Sequence, residues 1–152
     1  MNRCAPSSSI AALVLLAACS DPPDDSPLGR ECAAILARPE QKVDAVKVQH
    51  VLLAFVGAKK GSESKHTHAE AQKLAGEVLA KARAGEDFTA LMKAHSYDEG
   101  DGILKLTQKN RAEEAVQWFG DVSFRLSVGE IGIASYHRSK SPFGWHVIKR
   151  LE

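Results

Sequence analysis

Two strand patterns at opposite ends of one stretch, residues 46 to 152, limit the fold more than any other feature. Val46-Lys47-Val48-Gln49-His50-Val51-Leu52-Leu53-Ala54-Phe55 alternates with period two, the signature of a half-buried strand. Successive side chains of a strand point to opposite sides, so Val46, Val48, His50, Leu52 and Ala54 share one face. At the other end Ser141-Pro142-Phe143-Gly144 reads as a tight turn, with Gly144 supplying the backbone freedom. It feeds a strand, Trp145-His146-Val147-Ile148-Lys149, in which His146 and Ile148 face one way and Trp145 and Val147 the other. Each strand thus sets a histidine among apolar neighbours. A lone histidine in such a place is ordinarily a satisfied core residue. Two of them, on the first and last strands of one domain, are expected to be mutual hydrogen-bond partners, each fixing the other's tautomer.

Between the two strands the punctuation is local. A polar loop covers 57–65, and Thr67-His68-Ala69-Glu70 fits a capping box that opens a helix. Leu74, Ala75, Val78, Leu79 and Ala82 recur at helical spacing, and Gly85 ends the element. Asp87 is placed to cap a second helix with Phe88, Leu91 and Met92 on its buried side. A strand around Ile103 to Leu106 follows, then a helix from about Arg111 to Phe119. A turn at Val128-Gly129-Glu130 leads to a closing hairpin, Ile133 to Leu151. The fold class expected is α+β, a small antiparallel sheet of about four strands surrounded by about four helices.

The front of the chain is organised differently. Arg3 precedes an apolar run, Ile10 to Leu16, too short to span a bilayer. The run ends in Leu16-Ala17-Ala18-Cys19, which resembles a bacterial lipobox. That resemblance implies a signal peptide over 1–18, lipid attachment at Cys19 and a membrane anchor of several acyl chains, since one chain binds only marginally. Ser20 in place of aspartate favours the periplasmic face of the outer membrane. Residues 19–45 then hold the lipidated cysteine, a proline-rich tether and a short helix, about Arg30 to Ala37, which either packs on the domain or frays. Cleavage would remove Arg3 and no acidic residue, so the 20 basic residues fall to 19 against 19 acidic ones. A neutral domain argues against nucleic acid and against a basic membrane-docking face. Cys4 would be discarded and Cys19 consumed, leaving Cys32 unpaired, so the core alone must hold the domain from residue 46 to 152 together. A monomer is expected.

Five segments, in order, carry a family resemblance: Gln49-His50-Val51-Leu52-Leu53, then Ala84-Gly85-Glu86-Asp87-Phe88, then His95-Ser96-Tyr97-Asp98, then Phe119 through Ile131, and Phe143-Gly144-Trp145-His146-Val147-Ile148-Lys149. Together they resemble the parvulin-type peptidyl-prolyl cis/trans isomerases. Two departures stand out. The family's Gly-Asp-Leu-Gly-aromatic segment is here the shorter Gly100-Asp101-Gly102-Ile103-Leu104-Lys105-Leu106, and a methionine often found four residues before Phe119 is Ala115.

The resemblance implies an isomerase of proline-containing segments in unfolded or exported proteins, working without covalent intermediate, cofactor or metal. Rotation about the bond before proline faces a barrier of about 18–20 kcal/mol because amide resonance must be broken. An apolar pocket favours the twisted state, and every 1.4 kcal/mol of that preference is about tenfold in rate. On the family pattern His50, Asp98 and His146 form a hydrogen-bonded catalytic floor, Leu104 and Phe119 form the wall that receives the proline ring, and Phe124 packs beneath as a third substrate-binding residue. A rival reading keeps the groove and loses turnover, giving a parvulin-shaped holdase; the altered Gly100–Leu106 segment favours it. His66-Thr67-His68 lacks a third ligand at helical spacing for a metal. Lys59-Lys60, where some eukaryotic parvulins hold a basic pair, reads as a solvated loop, and His95 and His137 as surface or turn residues.

Overall fold

The computed structural model describes residues 24–152, so the signal peptide, the lipobox and Cys19 lie outside the described residues. Nine elements follow in order: α1 (Pro27–Leu36), β1 (Ala45–Leu53), α2 (His68–Arg83), α3 (Phe88–His95), β2 (Ile103–Thr107), α4 (Arg111–Glu114), α5 (Gln117–Ser123), β3 (Ile131–Ala134) and β4 (Trp145–Arg150). The four strands form one antiparallel sheet in the order β2-β1-β4-β3. The first and last strands of the domain are therefore its central pair, buried on both faces. The α+β expectation holds, with five helices where about four were expected.

Local chemistry starts and stops the early helices. Ser26 caps α1 by accepting from the Gly29 N–H at 3.0 Å, and Pro27 occupies the first turn, where its missing donor costs nothing. Thr67 and Glu70 satisfy each other's backbone N–H groups at the start of α2, as the capping box requires. Gly85 follows α2 at φ +96, a conformation side chains resist. The Asp87 carboxylate accepts from the Ala90 N–H at 2.6 Å and opens α3.

The open alternative for α1 resolves as docking. Leu28, Cys32 and Ile35 make one buried stripe at i, i+4 and i+7. Ile35 and Leu126 crowd the backbone of Gly132 on β3, where a Cβ would stand 2.9 Å and 2.7 Å from their methyl carbons. The core therefore begins at Leu28, ahead of residue 46.

The helix expected from Arg111 to Phe119 is two helices. Ala115 (φ −141, ψ 151) and Val116 (φ −65, ψ 152) are extended and separate α4 from α5. The cause is tertiary. The Trp118 N–H donates to the Lys140 carbonyl at 3.1 Å, tying the start of α5 to the turn before β4. Arg111 bridges Glu40 and Asp121, both at 2.9 Å, and fixes α4 against α5 and the segment after α1. The closing hairpin also starts earlier than expected, at Ile131, and β1 ends at Leu53 before Phe55.

Candidate active site

His50 pairs with Ile148 across the β1–β4 ladder, and Leu52 pairs with His146. Paired residues face the same side, so the register sets both histidines on one face, offset by two residues. The ring centroids lie 5.8 Å apart at an interplanar angle of 47°. Phe119 of α5 closes over both, edge-on, at 5.1 Å from His50 and 5.2 Å from His146. Val48 and His50 alternate on that face, and Leu104 of β2 pairs with Val48, which brings Leu104 to the same surface.

Asp98 arrives from the other side of the chain. After α3 the backbone clips onto the end of β1: the Ser96 hydroxyl accepts from the Leu52 N–H at 3.1 Å, and the Tyr97 N–H donates to the Leu52 carbonyl at 2.8 Å. One residue on, the Asp98 carboxylate reaches His50, with Oδ2 3.1 Å from Nε2. The other ring nitrogen of His50, Nδ1, donates to the Gly102 carbonyl at 3.0 Å.

The expected bond between the two imidazoles is not formed. Both nitrogens of His50 are engaged elsewhere, and neither nitrogen of His146 has a partner among the described residues. The reason is the two-residue offset, which leaves the rings in contact without aligning a donor with an acceptor. Asp98 and His50 form the hydrogen-bonded couple, and His146 stands beside it as a buried ring, 4 % exposed.

The charges follow from this geometry. The hydrogen bond from His50 holds the Asp98 carboxyl below its ordinary value, partial burial opposes it, and the nearby His50, His146 and Lys60 add to the lowering. Burial is the main cause that pushes the His146 pKa down to about 3, helped by the neighbouring His50. At neutral pH His146 is thus an uncharged imidazole.

These side chains line a cleft of about 90 Å³. Leu104, Phe119, Ala115, Val116 and Phe143 make its apolar walls; His50, Asp98 and His146 its polar floor; Lys60 and Glu114 its rim. The lining holds no serine, threonine or cysteine. Of the six residues expected to act on a substrate, five meet here. Phe124 does not: it is fully buried, absent from the lining, and covered by the Arg111 guanidinium 5.2 Å from its ring. It lies in the core and offers a ligand no surface.

Five residues of the cleft, Lys60, Glu114, Ala115, Val116 and Phe143, are not marked as such by the sequence. Val116 and Phe143 carry no local signal beyond being apolar in a loop. Lys60, assigned to a solvated loop, places its ammonium 4.5 Å over the Phe143 ring at the rim. Ala115, noted only for replacing a methionine, is itself part of the wall, where its short side chain leaves room. Larger hollows beside Arg111 (about 330 Å³) and Arg83 (about 450 Å³) are open surfaces whose arginines are already paired with carboxylates. His68 is drawn into rings, edge-on to Phe55 at 4.9 Å and Trp145 at 4.8 Å, while Thr67 beside it caps α2.

The sequence profile of the PPIC-type PPIase domain matches residues 35–152. The parvulin-like PPIase of Rickettsia felis is 31 % identical over 105 residues, which are 64 % of this chain and 36 % of that protein. The chaperone SurA of Pseudomonas fluorescens is 32 % identical over 112 residues, 71 % of this chain and 23 % of the relative. The chain therefore spans about a third or less of the length of these relatives. Among solved structures, the solution structure of TbPIN1 superposes with a TM-score of 0.55 at 23 % identity, covering 72 % of this chain and 98 % of the other, which is a likeness of fold.

Proposed function

The chain belongs to the PPIC-type PPIase, or parvulin, family, and from that premise we propose that it catalyses cis/trans isomerisation of the bond preceding proline in exported protein clients. One observation carries the reading: an apolar wall, Phe119 and Leu104, stands directly over a floor of His50, Asp98 and His146. A proline ring laid on Phe119 fixes one side of the rotating bond. The carbonyl on the other side then turns over the floor. The ground-state amide is planar and polar, whereas the twisted state has lost its resonance, so a largely apolar cleft favours the second. Neutral His146 adds no charge that would stabilise the planar amide dipole. The His50–Asp98 couple supplies a donor or acceptor to the turning carbonyl and nitrogen without a covalent bond. No cofactor is needed for this chemistry.

The proposal extends to the cell envelope. Residues 1–18 act as a signal peptide, Cys19 carries lipid, and a tether up to about residue 26 carries a monomeric domain at the periplasmic face of the outer membrane. The lipobox-like Leu16-Ala17-Ala18-Cys19 supports this. No helix among the described residues is long and apolar enough to cross a membrane. A holdase is the rival reading, favoured by the likeness to a protein named a chaperone. Refolding of a client whose slow phase is proline-limited separates the two. An isomerase shortens the tens-of-seconds phase at substoichiometric amounts. A holdase suppresses aggregation at stoichiometric amounts and leaves that phase unchanged.

A further inference from the structure

The segment that departs most from the family pattern, Gly100-Asp101-Gly102, ends in a carbonyl with an unusual load. The Gly102 oxygen accepts from the backbone N–H of His50 at 3.0 Å and from Nδ1 of the same residue at 3.0 Å. We propose that Gly102 is a positioning residue, whose carbonyl locks His50 in one orientation and one tautomer so that Nε2 shares a proton with Asp98 at the floor of the cleft. The inference deepens the isomerase reading and rests on it for its meaning.

The hydrogen-bond inventory makes the case. A carbonyl oxygen only accepts, so a hydrogen must sit on Nδ1. That leaves Nε2 as the nitrogen that faces the cleft, and it stands 3.1 Å from Asp98 Oδ2. One proton must lie between those two atoms, given by the ring or by the carboxyl, or two lone pairs would face each other. An imidazole free to flip would send this shared proton to the wrong side of the ring, away from the cleft.

The turn is built to hold that carbonyl still. Gly102 has φ +66, and a Cβ there would lie 2.7 Å from the His50 carbonyl oxygen and 3.1 Å from the Met92 side chain. Only glycine fits both demands. The preceding carbonyl, of Asp101, accepts from Gln49 Nε2 at 2.8 Å. The Asp101 carboxylate accepts from the Ile103 N–H at 2.9 Å, which pins the other end of the turn where β2 begins. Gln49 itself is buried and also meets Thr89 of α3 at 3.2 Å.

Long-range proton–nitrogen NMR on the full-length protein tests this, with His50 assigned by its loss in His50→Gln. His50 is expected to carry hydrogen on Nδ1 at every pH at which the protein stays folded, so that only Nε2 exchanges a proton with Asp98. A ring with its proton on Nε2 and a bare Nδ1, or a mixture of both, overturns the proposal in the unmodified protein, whatever Gly102→Ala does. In folded Gly102→Ala the tautomers should mix, the pH profile of isomerisation should shift, and kcat should fall about tenfold with KM little changed. A folded Gly102→Ala variant with the parent's tautomer and pH profile also overturns it. Complete absence of turnover in the parent sinks the isomerase reading alone, because the nitrogen shifts still decide the tautomer.

Discussion

His146 is buried as a neutral ring, with its pKa near 3 and no protein partner for either nitrogen among the described residues. Its folded value lies below the 6.5 of a free histidine, so between those limits the unfolded chain binds the proton and the folded one does not. Stability present above pH 6.5 is therefore lost as pH falls toward 3, at up to about 1.4 kcal/mol per pH unit. Asp98, whose value is also lowered, adds loss in the same direction below its ordinary 3.8. Urea unfolding at pH 7, 5.5 and 4.5 should show this slope, and His146→Leu should flatten it; equal slopes would mean that His146 is solvated. The two histidines should also differ on replacement. His50→Leu strands one side of the Asp98 couple and frees the Gly102 carbonyl of one donor. His146→Leu removes two unpaired polar atoms. His50→Leu should thus cost about 1 kcal/mol more than His146→Leu at pH 7. Mutual bonding, the expectation from alternation alone, would instead make the two costs alike.

Elements whose ends are set by neighbours in sequence were readable before the structure; those set by distant partners were not. Thr67 and Glu70, Asp87 and Gly85 act within a few residues, and α2 and α3 start and stop where those residues stand. Period two likewise told which face His50 and His146 occupy, and the five ordered segments brought Asp98 and Phe119 to them. The register that separates the imidazoles is a property of two strands together, and so was invisible in either. The break at Ala115–Val116 depends on Lys140 and on Glu40, 71 residues from Arg111. The docking of α1 was equally hidden, since a short amphipathic helix reads the same whether packed or frayed. Its burial drives the Cys32 thiol up to about 11, the backbone and hydroxyl of Ser135 opposing. Removing residues 1–39 should expose the surface that Leu28, Cys32 and Ile35 cover and lower stability by about 3–6 kcal/mol, measured by urea unfolding. In the intact chain the Cys32 thiol should resist disulfide reagents until α1 is released. An unchanged midpoint and a freely reactive Cys32 would both say that α1 does not dock.

Across the whole molecule, the cleft proposed to do the work is assembled from β1, β2, β4, α4, α5 and the loops between elements, and the proposed anchor lies ahead of α1. If acyl chains do the holding, the protein should stay with membranes in high salt, which strips charge-bound proteins and leaves lipid anchors. Cys19→Ser should release it, with the cleft and its activity intact; retention of Cys19→Ser on membranes would place the anchor elsewhere. The central claim is that Phe119 and the floor beneath it turn the bond before proline. Exchange spectroscopy on a short peptide with resolved cis and trans proline signals reads this directly. With the full-length protein at catalytic amounts, exchange should become faster than about one per second, against tens of seconds in buffer. Phe119→Ala should cut the rate by about tenfold or more. Exchange no faster than in buffer, or a rate undiminished in a folded Phe119→Ala protein, would contradict it.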